Sequence, residues 1–364
     1  NKDYSVYDTS FGARSLYDDW TIGGSIEAGT TLLPRNNIKT AFHYKRDTHN
    51  ERNTVGSDNL PEPWQRSDDL ISSWGMEDTI DITKSLYSII GVSHDKAEGL
   101  RAREWDPKNV PGGWFDYAVG STSSWNPQAG LFYLVSDTGK LHASVEKKTR
   151  FPSMKEKFSG GFGTKLPNPS LAPEKSVNYE IGYEDMFLKK VRFKTAVFHN
   201  DITNAIQSIT VAPKITQNQN IGEVQQYGIE IEGVVSVTKD IEGGLNYTYL
   251  DRNNETPINQ YSPTYIRLTS VPVHKIFSYV KYTTPLKGLS TLVSVEYLSD
   301  TGTTSDGIYN TGAFALVNMK ASYIIREGLM VEAGVNNAFD RYYEYAVGYP
   351  EPGRTYFAGV RYSF

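Results

Sequence analysis

Hydrophobic and polar residues alternate with a period of two along most of this chain. In the closing stretch "GYPEPGRTYFAGVRYSF", Tyr356, Ala358, Val360, Tyr362 and Phe364 fall on one side, and Thr355, Gly359, Arg361 and Ser363 on the other. Successive side chains of a β-strand point to opposite faces, so the segment predicts a strand with one apolar and one wet face. The pattern recurs upstream. Val177, Tyr179, Ile181 and Tyr183 oppose Asn178, Glu180, Gly182 and Glu184, and Ile229, Ile231, Val235 and Val237 oppose Glu230, Glu232 and Ser236. Applied throughout, alternation predicts fifteen strands, at 18–33, 37–48, 73–83, 86–98, 118–135, 140–150, 176–188, 190–210, 218–237, 240–251, 271–283, 289–299, 312–325, 329–338 and 353–364.

The connections between these strands differ in length. Short turns such as "LPRNN", "DTGK", "TKD", "PLKG" and "REG" alternate with long polar stretches near 49–72, 99–115, 150–175, 252–270, 300–310 and 340–352. Short turns at one end and long loops at the other are the asymmetry of a bacterial outer-membrane barrel, and a Greek-key sandwich would not separate its loops so cleanly. The fold class is therefore an all-β, transmembrane antiparallel β-barrel, with its apolar face against lipid and its polar face toward a lumen. Bacterial single-chain barrels have even strand numbers. An odd count leaves two alternatives, a strand missed near the N-terminus or a chain that is part of a larger barrel. The second is favoured, because the first predicted strand already runs toward the short-turn side.

Composition agrees with this architecture. The 25 Tyr, 15 Phe, 6 Trp and 31 Gly suit many short strands and turns. Mean hydropathy is −0.47, and the best apolar stretches, such as "LYSIIGV", fall far short of the roughly 18 to 20 residues of a membrane helix. The net charge of −5 is mixed in sign along the chain, with no basic stripe to follow a phosphate backbone, so nucleic acid is not an expected partner. Cysteine is absent, which excludes disulfides, thiolate metal sites and cysteine nucleophiles. The opening residues lack the basic and apolar regions of a signal peptide, so an exported protein would be represented here by a processed or truncated form. His43, His49, His94, His142, His199 and His274 show no metal-ligand spacing, and "SGGFGTK" lacks the G-K-[ST] order of a phosphate-binding loop. No catalytic residue, metal or cofactor is predicted, and the chain does not read as an enzyme.

Four motifs then occur in a fixed order. Arg150, Pro152, Ser153 and Glu156 form R-x-P-S-x-x-E. Asn168, Pro169, Leu171, Pro173, Glu174, Ser176, Tyr179, Glu180 and Gly182 form N-P-x-L-x-P-E-x-S-x-x-Y-E-x-G. "NIGEVQQYGIEIEG" follows, and "VNNAFDRYYEYAVGYPEPGRTYFAGVRYSF" closes the chain. Together these resemble the TonB-dependent outer-membrane receptors, over most of the chain from about residue 70. The resemblance implies a twenty-two-stranded barrel of which residues 1–364 would be the C-terminal part, without the TonB box, the plug domain and roughly the first seven strands. It implies location in the bacterial outer membrane, energy from TonB through a plug outside this chain, contact with outer-membrane lipid, and insertion by the barrel-assembly machinery, which would read Tyr362 and Phe364 as its signal. Charged positions of the polar face, among them Glu180, Glu184, Glu232, Glu332, Lys194 and Lys320, would need pairing against a plug but not in an open pore.

In the resembled family, cargo is captured by extracellular loops. Here the loops carry "PEPWQR", "LRAREWDP", "PGGWFDY", "QYSPTYIR" and "DRYYEYAVGY". Rings beside cations suit anionic metal chelates, which single out Trp64, Arg66, Arg101, Arg103 and Trp105 as expected substrate contacts. The competing reading places such aromatics in the interfacial girdle of a barrel. Haem receptors of the family place a His between the R-x-P and N-P-x-L segments, and none lies between Arg150 and Leu171. A ferric siderophore is thus the expected cargo, with cobalamin or another nutrient chelate second, and a passive porin as the alternative class.

Overall fold

A computed structural model describes residues 2–8, 14–54, 61–106, 110–160, 164–255 and 266–364, the first of these as backbone only. All fifteen strands that alternation predicts form, in a large antiparallel sheet. Their bounds differ from expectation in an instructive way. The expected loop 49–72 is largely strand, because Asn36–Thr54 and Gln65–Asp81 pair as far as Glu51 and Gln65. Leu86–Trp105 likewise runs past its expected end at residue 98. Where both faces of a strand meet water, the ladder continues but alternation disappears, so the pattern ends before the strand does. The predicted 190–210 divides into Val191–Thr203 and Ile206–Ala212, and 218–237 into Ile215–Asn220 and Glu223–Ser236. Lys2–Asp8, which alternation misses, pairs with Arg14–Thr30. The segment "QYSPTYIR" up to residue 265 and the centre of "SGGFGTK" lie outside the described residues.

The chain divides into two units, taken here in turn. The first comprises 1–130, 146–176 and 204–220. Arg14–Thr30, Asn36–Thr54, Gln65–Asp81 and Leu86–Trp105 pair in chain order, and the last also pairs with the short strand Trp114–Asp116. The turn at 82–85 closes because the Thr83 hydroxyl accepts from the N–H groups of Ser85 and Leu86. Ile26, Phe42, Trp74 and His94 are successive cross-strand partners and share one face with Ile90. The opposite face is polar: Asp95 accepts from Ser73, Ser93 and Asn126, and Gln128 donates to Glu77. A register shift at Asp68/Asp69 bulges Leu100 out of the ladder. A small second sheet joins Lys165–Leu166, Ile206–Ala212 and Ile215–Asn220.

The second unit comprises 131–145, 177–203 and 221–364. Val191–Thr203, Glu223–Ser236, Ile241–Asn254, His274–Thr283, Leu289–Leu298, Phe314–Arg326, Leu329–Asn336 and Thr355–Tyr362 pair antiparallel in that order. One apolar row crosses five of them as Val280, Val293, Met319, Val335 and Tyr356. The opposite face carries the charges expected from sequence, and several are paired: Lys320 with Glu332 at 3.5 Å, Lys140 with Glu184 at 2.7 Å, Lys194 with Glu184 at 3.6 Å and His142 with Glu180 at 2.8 Å.

Burial places the apolar surface outside. The buried hydrophobic side chains among the described residues are Ala102, Leu171, Ile221, Val224, Leu298, Phe314 and Leu316, whereas Ile26, Val280 and Val360 are 70%, 54% and 73% exposed. A water-soluble chain would hide such rows. Here they form the lipid-facing side of strands whose backbone groups are satisfied by neighbouring strands.

Candidate functional site

The long connections of the first unit gather at one end of its strands, and the chemistry there separates by face. On the apolar-row face, Arg66 is the cross-strand partner of Arg103, and Asp68 that of Arg101. Arg103 pairs in turn with Asp116, and Trp105 with Trp114. Arg66 grips Asp68 through Nε at 2.7 Å and a second nitrogen at 2.9 Å, while Arg46 reaches the same carboxylate at 3.3 Å and the Thr48 hydroxyl donates to it at 2.5 Å. Arg103 lies over the Trp114 ring at 4.3 Å and 3.3 Å from Asp116, and Arg52 lies over Trp64 at 4.8 Å. Gly112 and Gly113, at φ +80° and +78°, make the turn that brings Trp114 onto Trp105. A Cβ on Gly113 would stand 2.4 Å from the Trp105 ring, so that turn admits no side chain.

On the polar face of the same end, Phe115 and Tyr117 meet edge to face at 4.8 Å, and Phe158 lies 5.2 Å from Tyr117. The Tyr117 hydroxyl donates to Glu104. Burial and that carboxylate push the Tyr117 phenol well above its ordinary range, which keeps it a neutral donor. Phe158 ends the helix Met154–Phe158, whose start is a capping box: the Ser153 hydroxyl accepts from the Glu156 N–H, and the Glu156 carboxylate accepts from the Ser153 N–H. Arg150 holds that carboxylate at 2.9 Å and Glu174 at 3.3 Å, and Glu174 also accepts from the Ile206 N–H. Burial raises the Glu156 carboxyl, but the Ser153 N–H and the Arg150 guanidinium outweigh it, and its pKa lies below the usual range. Asn168 donates to the Asn218 carbonyl, and Asn220 binds the backbone of Ala172 from both sides. The R-x-P-S-x-x-E and N-P-x-L-x-P-E motifs are thus the two halves of one clamp, which sets a loop helix against the polar face.

The structure brings Arg66, Arg101, Arg103 and Trp105 together. Trp64, 40% exposed, stands apart on Arg52. Sequence reasoning missed Asp68, two residues from Arg66 on the same strand face, and Arg46, Trp114 and Asp116, which meet the cluster only through register; the turn signal in "PGGW" was the legible clue. Tyr362 ends the last ladder opposite Leu329, and Phe364 lies beyond it, fully exposed and 6.3 Å from Tyr362 ring to ring. In the second unit the closing motif explains itself as a loop lock. Asn337, 3% exposed, exchanges hydrogen bonds with the Arg341 backbone, and Asp340 accepts from the Arg354 N–H. Both carry positive φ, which Asn and Asp tolerate. Among the described residues no three His, Asp or Glu side chains converge as metal ligands.

Strands with a lipid-facing apolar row, a polar face crossed by ion pairs and long loops at one end define an outer-membrane β-barrel protein. Residues 1–338 match the family described as TonB dependent receptor-like, beta-barrel, and the chain belongs to that family. It is 23% identical over 276 residues to the iron-regulated outer membrane virulence protein of Vibrio cholerae, covering 70% of this chain and 41% of that protein. It is 28% identical over 260 residues to the vitamin B12 transporter of Vibrio vulnificus, covering 68% and 38%. The ferric yersiniabactin uptake receptor FyuA from Yersinia pestis superposes with a TM-score of 0.75 at 15% identity, over 99% of this chain and 57% of that one. The chain spans about two fifths of the length of these curated relatives.

Proposed function

We propose that the receptor to which this chain contributes its barrel strands takes up a metal chelate, a ferric siderophore foremost, with energy supplied by TonB through a plug domain outside this chain. The observation that carries the reading is the clamped helix on the polar face: it holds Phe158 and Tyr117 at the long-loop end, where a cargo entering from outside arrives first. Those rings, with Lys157 preceding Phe158 in the last turn of the helix, suit an oxygen-rich anionic complex. The relatives support the reading, since one is named as iron-regulated, one as a vitamin B12 transporter, and one similar solved structure as a ferric yersiniabactin uptake receptor. Family membership favours this receptor over a passive porin.

Trp64, Arg66, Arg101, Arg103 and Trp105 are a second proposed contact set, one that requires the cargo to reach the apolar-row face. Binding of ferric siderophores and cobalamin to the full-length receptor tests the function, with Phe158→Ala, Arg103→Ala and Trp105→Ala alongside wild type. Tight binding of a ferric siderophore, weakened tenfold or more by Phe158→Ala, is the expected result. Binding of cobalamin with none of the siderophores would overturn the cargo assignment.

A further inference from the structure

The strand pairs of the second unit divide by their connections. A short turn fixes the register of the pair it joins, because turn type and length leave one alignment. Five pairs meet instead through long connections, at 151–173, 204–222, 255–273, 299–313 and 337–354. In such a pair a shift of two residues keeps every side chain on its own face, and it barely alters the closure entropy of a long loop. Alternation between lipid and lumen therefore cannot hold these registers.

In four of the five pairs a ring lies over a glycine of the facing strand, on the polar face. Phe198 directly opposes Gly228, Tyr279 opposes Gly244 and Phe357 opposes Gly334. His142 of Lys140–Arg150 lies over Gly182 of Glu174–Phe187, the strand it pairs with. A Cβ on Gly228 would stand 2.6 Å from the Phe198 ring and one on Gly334 2.5 Å from the Phe357 ring, and on Gly182 and Gly244 it would overlap the His142 and Tyr279 rings outright. The backbone carbonyls of Tyr249 and Met319 close the Gly228 and Gly334 notches as well. None of the four glycines has positive φ, so what each supplies is the missing side chain. Two of the rings are also tied at their tips, Tyr279 to Glu242 at 3.0 Å and His142 to Glu180 at 2.8 Å. Two residues to either side of each glycine, on the same face, stand long polar side chains: Glu180 and Glu184, Gln226 and Glu230, Glu242 and Asn246, Glu332 and Asn336. A slip of two residues in either direction would drive the ring into one of these and leave the notch empty. Beside the short turns, Gly139, Gly243 and Gly288 meet only aliphatic, polar or backbone atoms.

The fifth pair has another solution. Leu289–Leu298 and Phe314–Arg326 run on into their own loop in unbroken register, with Leu298 opposite Phe314 and, three residues further, Thr301 opposite Thr311. The first unit repeats both devices. Asn36–Thr54 and Gln65–Asp81 keep one register from Asn36 and Ile80 to Glu51 and Gln65. Leu86–Trp105 and Ser121–Leu134 pair across the connection 106–120, and there the Gln128 side chain covers Gly91, where a Cβ would stand 2.9 Å from its amide nitrogen.

We infer that the ring-over-glycine contacts are register clasps, which align paired strands where the loop between them is too long to do so. A notch without a Cβ accepts a flat ring at one alignment only. The long loops are thereby released from setting the barrel, and they can differ in length and sequence around a cargo while the strands below stay in place. The inference rests on strand pairing and is independent of which cargo the receptor carries.

The test uses the full-length receptor assembled in lipid vesicles, with pairs of introduced cysteines as reporters; the chain itself has none. Thr195→Cys with Ile231→Cys reports the native alignment of Val191–Thr203 on Glu223–Ser236, in which those two residues oppose each other. Thr195→Cys with Ile229→Cys, or with Gly233→Cys, reports a slip of two residues. Phe198→Ala is compared with Val197→Ala, which shortens a lipid-facing side chain of the same strand. A further form of Phe198→Ala has 204–222 replaced by Asn-Gly, a two-residue turn that sets register by itself. The expected result in Phe198→Ala is a fall of threefold or more in the native crosslink, with slipped crosslinks appearing. Val197→Ala should crosslink as wild type, and the short-turn form should recover the native crosslink. Should Phe198→Ala fail to assemble, recovery of assembly in the short-turn form supports the clasp and continued failure refutes it. An unchanged crosslink pattern in Phe198→Ala, or an equal fall in Val197→Ala, would overturn the proposal.

Discussion

A lysine placed at successive depths on the last strand measures the lipid-facing assignment directly. In Thr355–Tyr362, Val360 is 73% exposed opposite Val331, and Ala358 is exposed opposite Ala333. Little protein packing is lost on changing either, so the cost comes from the medium outside. Tyr362 adjoins the short turn, which the Ser363 N–H closes onto Gly328. At roughly 2.6 Å per residue, Val360 stands about 5 Å and Ala358 about 10 Å above that rim, the latter close to the middle of a band about 25 Å tall. Charge on the lipid face costs about 2 to 4 kcal/mol at the midplane and about 0 to 1 near an interface. Ala358→Lys should therefore destabilise by about 2 to 3 kcal/mol, Val360→Lys by about 1, and Arg361→Ala, on the polar face, by less than about 0.5. Urea unfolding of the receptor in lipid vesicles gives the three values, and the heat-resistant assembled fraction gives the same order. Equal effects of Val360→Lys and Arg361→Ala would undo the facing assignment, and a larger effect at Val360 than at Ala358 would undo the depth order.

Two other outcomes test different parts of the molecule. Deleting Phe364, exposed just past the last ladder pair with its ring against Tyr362, should lower the amount of full-length receptor in the outer membrane through failed recognition by the insertion machinery; an unchanged level would remove Phe364 from that recognition. Glu156 has a folded pKa depressed by the Ser153 N–H and Arg150 against the opposing effect of burial, so its contribution to the loop is complete above the ordinary Glu range and is lost as pH falls through the depressed value. Hydrogen exchange at 151–172 should accelerate over that acidic window, and Glu156→Gln should remove the pH dependence and show fast exchange throughout. Wild-type protection that stays flat with pH would contradict the clamp.

Much was legible before any coordinates. Period-two alternation is a local property: each apolar residue of Val280, Val293, Met319, Val335 and Tyr356 declares its face within its own strand, because lipid rewards one side and water the other all along the ladder. Turn lengths declare themselves just as locally, and the motif order identified the family. Alternation has no purchase where both faces are wet, which is why the extensions of Asn36–Thr54 and Leu86–Trp105 read as loops. Arg101, Arg103 and Trp105 could be picked out as a cation and ring pattern, yet nothing within "LRAREWDP" says which side of a sheet they stand on. That depended on the bulge at Leu100 and on register with Arg66, Asp68 and Asp116, contacts between residues distant in the chain. The same holds for the clamp, where Arg150, Glu156 and Glu174 are separate letters of two motifs until folding sets one guanidinium between two carboxylates. The sequence by itself determined the strands and their two-faced character, since those arise from each residue and its near neighbours. Only the tertiary structure decided which functional side chains share a face and which charges neutralise one another, because register and hydrogen-bond geometry act across strands.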